Sequence, residues 1–419
     1  MSTQAVTNIS PVHGGLSQPV NRIDAGAASD ASLARVEVND VDMTTLYRIA
    51  DGTLSPLEGP MSKADYENVL ANGCIERNGK NWAWTIPIML PITDAEAGTC
   101  TAGTKIGLYA GGKMFGTLEV ADCYDWDKPA FIKAVYGTER TDHPGAGLWI
   151  SDERTKLVGG TITLVEFNDS RPFASRVMSP TATRKMIETE GWEQSIGFQT
   201  RNPLHRAHEY ALVYGAEVIL RETGKKTGVV LNPLVGQLKG DDVPASTRME
   251  TYEALVANRL LGEGDMDEAL WADKGQVLND NLQLVGLDMR MYYGGPAEAV
   301  MHAIYRQNLG FTHFIIGRKH ADAPFADGEA IWGDFDAQTI FEKLGGDLNI
   351  KTVNVGFAAY FEEIGKVGLM SENKENTSVF ISGTKVRSQL VAGEEPDPRI
   401  MRPTTAKVLV EFYANKASE

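Results

Sequence analysis

Cysteine is scarce in this sequence, and the few cysteines do not form pairs. Among 419 residues there are three, Cys74, Cys100 and Cys123, which lie far apart and form no C-x-x-C motif. An odd count without metal-ligand spacing argues against a disulfide framework and against a cysteine-built zinc site. We therefore expect three reduced, structural thiols in a reducing compartment.

Long apolar runs and a surplus of basic residues are also missing. No run approaches the roughly 18 apolar residues of a spanning helix, and the N-terminus lacks the basic start and apolar segment of a secretory signal. These absences predict a cytoplasmic protein with no membrane partner. Lysine and arginine total 40 against 56 acidic residues, a net charge of −16. Because nucleic-acid surfaces need basic patches, no nucleic-acid partner is expected.

A P-loop is absent as well. The segment GKKTG at residues 224–228 lacks the G-x-x-x-x-G-K-[ST] spacing and lies between a helical pattern and the next strand. We interpret it as a helix-ending glycine followed by a solvated loop. No fused P-loop kinase module is therefore expected.

The patterns that are present divide the chain into four parts. Residues 1–40 have little periodicity and predict a flexible lead. Residues 41–175 carry short apolar runs separated by Gly, Pro and Asp, which favours a mostly β domain. In residues 176–335 strands alternate with amphipathic helices, which is typical of a parallel sheet with crossover helices. Residues 336–419 predict a small C-terminal α/β domain, so the fold class is α/β.

The stretch GFQTRNPLHRAHEYAL, which begins at Gly197, directly follows a predicted strand. Asn202 is a good N-cap and Pro203 a good first helical residue, so the spacing predicts a helix that starts there. Unpaired N–H groups at a helix start, placed at the carboxyl edge of a parallel sheet, favour a bound phosphate.

Three side chains strengthen the prediction of an anion-binding site at this helix start. His205 and His208 are three residues apart and share one helix face, while Arg201 offers a planar fork for an oxyanion. An HxxH pair alone also occurs by chance on surface helices. Zinc binding is a weaker alternative because neither H-E-x-x-H nor a nearby third ligand is present. The composite Q-x-R-N-P-x-H-x-x-H at a strand-to-helix turn is far more specific.

Two further polar turns follow apolar segments. GRKHA, which begins at Gly317, follows the strand FII, and ISGTKVR combines a glycine turn with a helix start. Both could meet phosphates through backbone N–H groups and basic side chains. The alternatives are an ordinary polar strand exit and a plain capped helix with solvated charges.

Taken together, these segments resemble the sulfate adenylyltransferase (ATP sulfurylase) family within the HxGH/HxxH nucleotidylyltransferase superfamily. The resemblance rests on GFQTRNPLHRAHEYAL and covers the chain from about residue 45 to its end. Other segments agree with the family in order along the chain: SPLEGPMSKADYENVL, GTERTDHPGAG, PLVGQLKGDDVP, GGPAEA, THFIIGRKHA and ISGTKVR.

The resemblance implies a Rossmann-like HxxH nucleotidylyltransferase catalytic domain preceded by a PUA-like β domain. It also implies the reaction of ATP with sulfate to give adenosine 5′-phosphosulfate and pyrophosphate, by in-line attack on the α-phosphorus. Sulfate would be held by Gln199, Arg201 and the backbone of Ala321. The catalytic residues would be Thr200, Arg201, Asn202, His205 and His208. ATP would contact Gln199, Thr200, Arg201, Asn202, Gly317, Arg318, Lys319, His320 and Ala358, with phosphates supported by Thr384, Lys385 and Arg387.

Cofactor and assembly expectations also follow from the resemblance. Mg²⁺ would arrive on ATP, because Mg²⁺ usually keeps to nucleotide phosphates with few protein ligands. Asp241 and Asp242 are therefore given no metal role, and no metal-binding residues are expected. Relatives with a zinc site carry cysteines before the ISGT segment, which this chain lacks there, so no zinc is expected. A homo-oligomer is expected.

Some positions depart from the family pattern or have two interpretations. Lys319 replaces the usual Asp, and Tyr292 and Ala297 replace two Arg. Val355 stands where some members have a ligand-responsive Phe, and Pro60 stands where an aromatic residue or Leu is usual. Three more side chains could serve phosphate or chemistry but could equally be solvated or structural: Lys239, Arg248 and His143.

Two alternative functions stay open on the sequence. One is another HxxH nucleotidylyltransferase that uses a phosphate ester as its nucleophile, which the Q-x-R element and the GRKHA turn disfavour. The other is a non-catalytic, RNA-contacting protein, because PUA-type domains bind RNA. The acidic balance and the intact HxxH argue against it.

Overall fold

The structure is a computed structural model that describes residues 8–236, 238, 243–380 and 383–416. Its N-terminal part is built on a five-stranded sheet of order β1-β5-β6-β7-β4, with β2 and β3 forming a separate antiparallel hairpin. The strands are β1 (Ala34–Glu37), β2 (Cys74–Arg77), β3 (Lys80–Ala83), β4 (Pro91–Ile92), β5 (Lys105–Ala110), β6 (Lys113–Asp125) and β7 (Lys156–Leu164). The helices are α1 (Asp40–Ala50), α2 (Lys63–Asn72), α3 (Asp94–Ala97), α4 (Lys128–Tyr136) and α5 (Pro144–Ile150).

The central part of the chain alternates helices with the strands of a second sheet. Its helices are α6 (Pro180–Glu190), α7 (Arg206–Thr223), α8 (Ala245–Ala257), α9 (Glu268–Asp273) and α10 (Gly295–Leu309). Its strands are β8 (Gln194–Phe198), β9 (Thr227–Leu231), β10 (Leu282–Leu284) and β11 (His313–Ile316). The predicted parallel sheet is confirmed, because every pairing among these strands is parallel.

The C-terminal part adds an edge strand, a small sheet and three helices. The elements are α11 (Asp336–Thr339), β12 (Lys351–Asn354), β13 (Ala358–Phe361), β14 (Lys366–Leu369), β15 (Ser378–Val379), α12 (Gly383–Val391) and α13 (Pro403–Lys416). β12 pairs with β11, which gives the second sheet the order β10-β9-β8-β11-β12. The sheet therefore extends past residue 335, where the sequence suggested a boundary.

The predicted flexible lead over residues 1–40 is wrong for residues 8–40. Val12 and His13 are buried, and the N–H of His13 donates to Asn308 Oδ1 at 2.9 Å. Further along, β1 pairs in parallel with β5. Contacts with residues about 300 positions away hold this segment in place. Local composition does not reveal such long-range contacts. Residues 1–7 lie outside the described part of the chain.

The parallel sheet is covered on both faces, which explains its continuous apolar strands. Every residue of β8, β9 and β11 is buried. Strands in parallel sheets are typically apolar throughout because helices cover both sides. The carboxyl ends of β8 and β11 lie side by side, with Phe314 in register with Gly197. The polar turns that follow these strands therefore meet at one edge.

Within the described residues no helix combines the length and the apolar character that crossing a membrane requires.

Candidate active site

The helix after β8 begins later than the sequence predicts. Asn202 and Pro203 lie in a loop, and α7 starts at Arg206 with His205 at the N-cap position. His205 has extended backbone angles (φ −105°, ψ 163°), and its side chain makes no capping hydrogen bond. The prediction that Asn202 caps the helix is wrong, because the backbone groups of Asn202 are hydrogen-bonded to other partners in the loop. Tyr252 Oη donates to the Asn202 carbonyl at 2.7 Å, and Thr200 Oγ1 accepts from the Asn202 N–H at 3.1 Å.

His205 and His208 form a stacked pair at the start of α7. Their ring centroids are 3.7 Å apart with an interplanar angle of 22°. Burial lowers the pKa of His205 to about 4, and burial together with the neighbouring His205 holds the pKa of His208 well below its usual value. Both rings are therefore neutral near pH 7, so each offers one N–H donor and one acceptor nitrogen.

The histidine pair faces a cavity of about 560 Å³. This volume falls within the range of about 300–1,000 Å³ typical of small-molecule sites. The predicted site residues on its wall are Asn202, His205, His208, Ala358, Thr384 and Arg387. The rest of the wall is mainly apolar and includes Val243, Phe380, Leu390, Met401 and Tyr413. A ring system with a charged end suits such a mixed lining.

Gln199 and Arg201 carry buried polar atoms that lack protein partners. Arg201 Nη1 and Gln199 Oε1 are both buried without a hydrogen bond. The other guanidinium nitrogen, Nη2, lies 3.5 Å from the carbonyl oxygen of Asp322, and the guanidinium carbon lies 5.0 Å from the centroid of the Tyr293 ring. Unpaired buried polar groups cost about 1–3 kcal/mol each. Such atoms at a sheet edge are well placed to bind a polar ligand.

The GRKHA turn directly follows β11 and has an unusual backbone. Lys319 (φ 48°) and Ala321 (φ 58°) both adopt left-handed conformations, which are uncommon outside glycine and cluster at functional sites. The Lys319 N–H donates to the Asp334 carbonyl at 2.9 Å, and the Ala321 carbonyl accepts from the Gly295 N–H at 3.1 Å. These two hydrogen bonds hold the strained turn.

The basic side chains of this turn already have partners. Arg318 forms a 2.9 Å ion pair with Asp334, and its guanidinium carbon lies 3.4 Å from the centroid of the Phe357 ring. Lys319 Nζ lies 3.7 Å from the same carboxylate. Lys319, like Arg318, is therefore attracted to Asp334.

The predicted site residues thus fall into two groups. Asn202, His205 and His208 share the cavity wall with Ala358, Thr384 and Arg387, whereas the Gln199–Arg201 segment and the GRKHA turn lie at the adjoining strand ends. Thr200 Oγ1 is engaged with its own loop. Lys385 is not on the cavity wall. Ile381 and Ser382 of the ISGT segment lie outside the described residues.

The structure decides between the two interpretations of His143 and of Arg248. His143 is buried and structural: its Nδ1 accepts the Gly145 N–H at 3.2 Å at the start of α5. Arg248 is 1% exposed and donates to the carbonyls of Val243 (2.9 Å) and Leu234 (2.7 Å). Arg248 therefore braces the loop rather than reaching solvent. Lys239, Asp241 and Asp242 lie outside the described residues.

Two of the positions that depart from the family pattern, Tyr292 and Val355, are buried in this fold. Tyr292 stacks on Trp149, with ring centroids 5.9 Å apart and an interplanar angle of 24°. Arg290, two residues earlier, pairs with Asp42 at 3.1 Å. Val355 is 2% exposed and donates its N–H to the Ile316 carbonyl at 3.0 Å. Tyr292 and Val355 thus belong to the core and not to the cavity wall.

Sequence reasoning missed three residues around Arg201. Tyr293 supplies the ring beneath the guanidinium, Asp322 supplies a carbonyl near it, and Asp334 anchors the GRKHA turn. Tyr293 and Asp322 are adjacent to recognised motifs, so scanning the flanks could have found them. Asp334 lies far from any motif, and only the fold brings it to the turn.

Among the described residues, none of those on the cavity wall is acidic, and no group of three or more His, Cys, Asp or Glu could hold a metal ion. The donors that these wall residues offer are imidazole, amide, hydroxyl and guanidinium groups. Such a set suits an anionic ligand.

Comparison with known proteins agrees with this geometry. Residues 174–412 match the ATP-sulfurylase family, and residues 10–167 match a PUA-like domain. The chain is 64% identical to the sulfate adenylyltransferase of Pyropia yezoensis over 98% of this chain and 99% of that protein. It is 34% identical to the sulfate adenylyltransferase of Deinococcus radiodurans, over 98% of each chain.

Among solved structures, the hexameric APS kinase from Thiobacillus denitrificans shares the fold. The TM-score is 0.71 at 18% identity, over 96% of this chain and 68% of that one. At this low identity the match supports the fold alone. On the family match and the full-length identities, the chain belongs to the ATP-sulfurylase family of sulfate adenylyltransferases.

Proposed function

We propose that this chain transfers the adenylyl group of ATP to sulfate, forming adenosine 5′-phosphosulfate and releasing pyrophosphate, in a reversible reaction. Family membership supports this reaction. The observation that carries the site assignment is the pair of unpartnered buried atoms, Arg201 Nη1 and Gln199 Oε1, beside a cavity headed by two neutral histidines.

Sulfate would bind at the strand ends, held by Gln199, Arg201 and the backbone of Ala321. Sulfate is a weak nucleophile that arrives fully ionised, so no general base is needed. The contribution of the protein is to place one sulfate oxygen in line with the α-phosphorus of ATP. The stacking of Arg201 on Tyr293 supports this role by fixing the direction of the guanidinium fork.

ATP would extend from the strand ends into the cavity. Its adenine and ribose suit the apolar wall near Ala358, and Thr384, Lys385 and Arg387 on α12 would support the phosphates. Additional ATP contacts would come from Gln199, Thr200, Arg201, Asn202 and the turn that comprises Gly317, Arg318, Lys319 and His320. Mg²⁺ bound to ATP would neutralise part of the phosphate charge.

His205 and His208 would stabilise the transition state as neutral N–H donors. As the α–β phosphate bond breaks, charge builds on the departing pyrophosphate. Fixed donors aimed at developing charge lower the barrier because they need no reorganisation during the reaction. The lowered pKa values of the two histidines support donation from imidazole and disfavour imidazolium.

Location and assembly form part of the same proposal. We place the enzyme in the cytoplasm, as its composition suggests, and expect it to work as a homo-oligomer. The solved structure that shares its fold is described as hexameric. Leu148 and Ile150 on α5 are 49% and 40% exposed, so an apolar surface is present that a second copy could cover.

The test is ATP formation from adenosine phosphosulfate and pyrophosphate with Mg²⁺, the thermodynamically easy direction. Turnover that requires both substrates is expected, and sulfate should be released in equal amount. Folded protein that produces no ATP would overturn the proposal. Exchange of labelled pyrophosphate into ATP without sulfate, but with a phosphate ester, would instead indicate a different nucleophile.

A further inference from the structure

Behind the GRKHA turn lie two buried ionisable side chains, Glu298 and His302, that the proposed mechanism does not use. Glu298 and His302 sit one turn apart on α10, and both are fully buried. Glu298 Oε1 lies 3.3 Å from His302 Nε2, and His302 Nδ1 lies 3.0 Å from His320 Nε2. A carboxylate is costly to bury, so its contacts indicate what it stabilises.

The carboxylate of Glu298 holds the loop that precedes α10. Its Oε1 accepts the N–H of Tyr292 at 2.8 Å, and its Oε2 accepts the N–H of Gly294 at 3.0 Å. Tyr293, between these two donors, has a φ of 55°, a conformation that is uncommon for a residue with a side chain. The two hydrogen bonds thus clamp the loop on both sides of its strained residue.

Tyr293 connects this clamp to the predicted sulfate site. Its ring lies beneath Arg201, with the guanidinium carbon 5.0 Å from the ring centroid. A cation over an aromatic face is attracted to it, and the ring also limits where the guanidinium can point. The position of Arg201 therefore depends on the position of Tyr293, which depends on Glu298.

His302 packs beside the carboxylate without bonding to it. Its Nε2 is buried and makes no hydrogen bond, although it lies 3.3 Å from Glu298 Oε1. Burial holds the pKa values of His302 and His320 well below their usual range, so both rings are neutral. The hydrogen bonds that hold the carboxylate are therefore those from the loop N–H groups.

We propose that Glu298 is a positioning residue for the sulfate subsite, which holds Tyr293 beneath Arg201 through its two hydrogen bonds to the loop. Glu298 itself contacts no substrate. This inference rests on the proposed function, because it assigns sulfate to Arg201.

The test is Glu298→Gln, which keeps the side-chain volume but leaves one acceptor oxygen for two N–H groups. We expect the KM for sulfate to rise about tenfold or more, as for the loss of one charged hydrogen bond. The KM for ATP should change less than about threefold. A sulfate KM within twofold of wild type, or an equal rise in both KM values, would overturn the inference.

The matched control is Glu217→Gln. Glu217 is also a buried helical carboxylate, 4% exposed, and it accepts a backbone N–H, that of Asp267, at 2.7 Å. It contacts none of the predicted site residues. We expect this variant to lose stability while retaining the wild-type KM for sulfate.

If Glu298→Gln does not fold, a second variant tests whether the ring of Tyr293 positions Arg201. Tyr293→Leu removes the ring beneath Arg201 and leaves Glu298 in place, and the same selective rise in sulfate KM is expected. An unchanged KM would overturn the inference. Wild-type protein without any turnover would instead overturn the proposed function, and the sulfate subsite with it.

Discussion

At the scale of single residues, the neutral state of the histidine pair decides what the site can do. Two rings stacked 3.7 Å apart cannot both be charged without strong repulsion, and burial already disfavours either charge. A neutral imidazole donates one hydrogen bond of fixed direction. His205 and His208 therefore suit a transition state in which charge moves onto phosphate oxygens.

His208→Ala should lose most of the activity. Removing one donor aimed at developing charge typically costs about 3 kcal/mol, a hundredfold or more in kcat. The control is His313→Ala. His313 is also buried, with a pKa lowered to about 4. It lies at the start of β11, at the end of the strand away from the GRKHA turn. Steady-state kinetics should show normal turnover for the control. A His208→Ala enzyme with wild-type kcat would exclude the assigned role.

Arg201→Lys should impair sulfate use while preserving the positive charge. Lysine lacks the planar fork and stacks poorly on Tyr293, so at least one charge-assisted hydrogen bond is lost. We expect the KM for sulfate to rise about tenfold. Arg176→Lys, at an exposed 3.0 Å pair with Glu253, serves as the control and should leave the KM unchanged. Equal KM values for Arg201→Lys and wild type would place sulfate elsewhere.

At the scale of elements, α7 is bound tightly to the C-terminal part of the chain. Arg402 donates to Glu209 at 2.7 Å, and the N–H of Arg206 donates to the carbonyl of Ile400 at 2.8 Å. Arg206 also pairs at 2.6 Å with Asp265, which in turn accepts the N–H of Val367 in β14 at 2.8 Å. Both carboxylates are fully buried. The first turn of α7 and one wall of the cavity are therefore held together.

Arg402→Met should destabilise the fold strongly. It leaves the carboxylate of Glu209 buried without its main cation, and breaking a buried pair costs about 3–5 kcal/mol. Arg399→Met removes solvent-screened pairs with Asp397 and Glu362 and should cost far less stability. Urea unfolding monitored by circular dichroism measures both free energies. Similar values for the two variants would show that burial does not strengthen the Arg402 pair.

Sequence patterns predicted the strands of the second sheet more accurately than the start of α7. Apolar runs bounded by polar turns located β8, β9 and β11, because a strand covered on both faces is mostly apolar. The start of α7 was placed about three residues early. Asn202 and Pro203 are locally good helix starters, but the hydrogen bond from Tyr252, some 50 residues away, keeps Asn202 in the loop.

At the scale of the whole molecule, all seven histidines have lowered pKa values, and burial is the main cause for each. The unfolded chain therefore binds more protons than the folded chain below the ordinary histidine pKa of 6.5. Stability that is present above pH 6.5 should be lost as the pH falls toward the folded values, which are about 4 for His13, His205 and His313.

The predicted outcome is a falling free energy of unfolding from pH 7 to pH 5. Each histidine contributes a slope of up to about 1.4 kcal/mol per pH unit within its window. Glu298 opposes this trend, because burial raises its pKa to about 7 and the folded state then takes up a proton. Urea titrations at several pH values measure the net slope. Replacing His13 by Asn should reduce the slope, and an unchanged slope in this variant would contradict the burial of a neutral His13.

The sequence by itself determined the α/β class, the alternation of strands and helices in the central part, and the residues of the GFQTRNPLHRAHEYAL and GRKHA turns. These depend on local chemistry, since strand and turn patterns lie within a few neighbouring residues. Only the tertiary structure decided that Tyr293 lies beneath Arg201, that Glu298 clamps the loop around it, and that the C-terminal part supplies one wall of the cavity. The contact of Tyr293 with Arg201 and the cavity wall join residues tens to hundreds of positions apart, and folding alone brings them together.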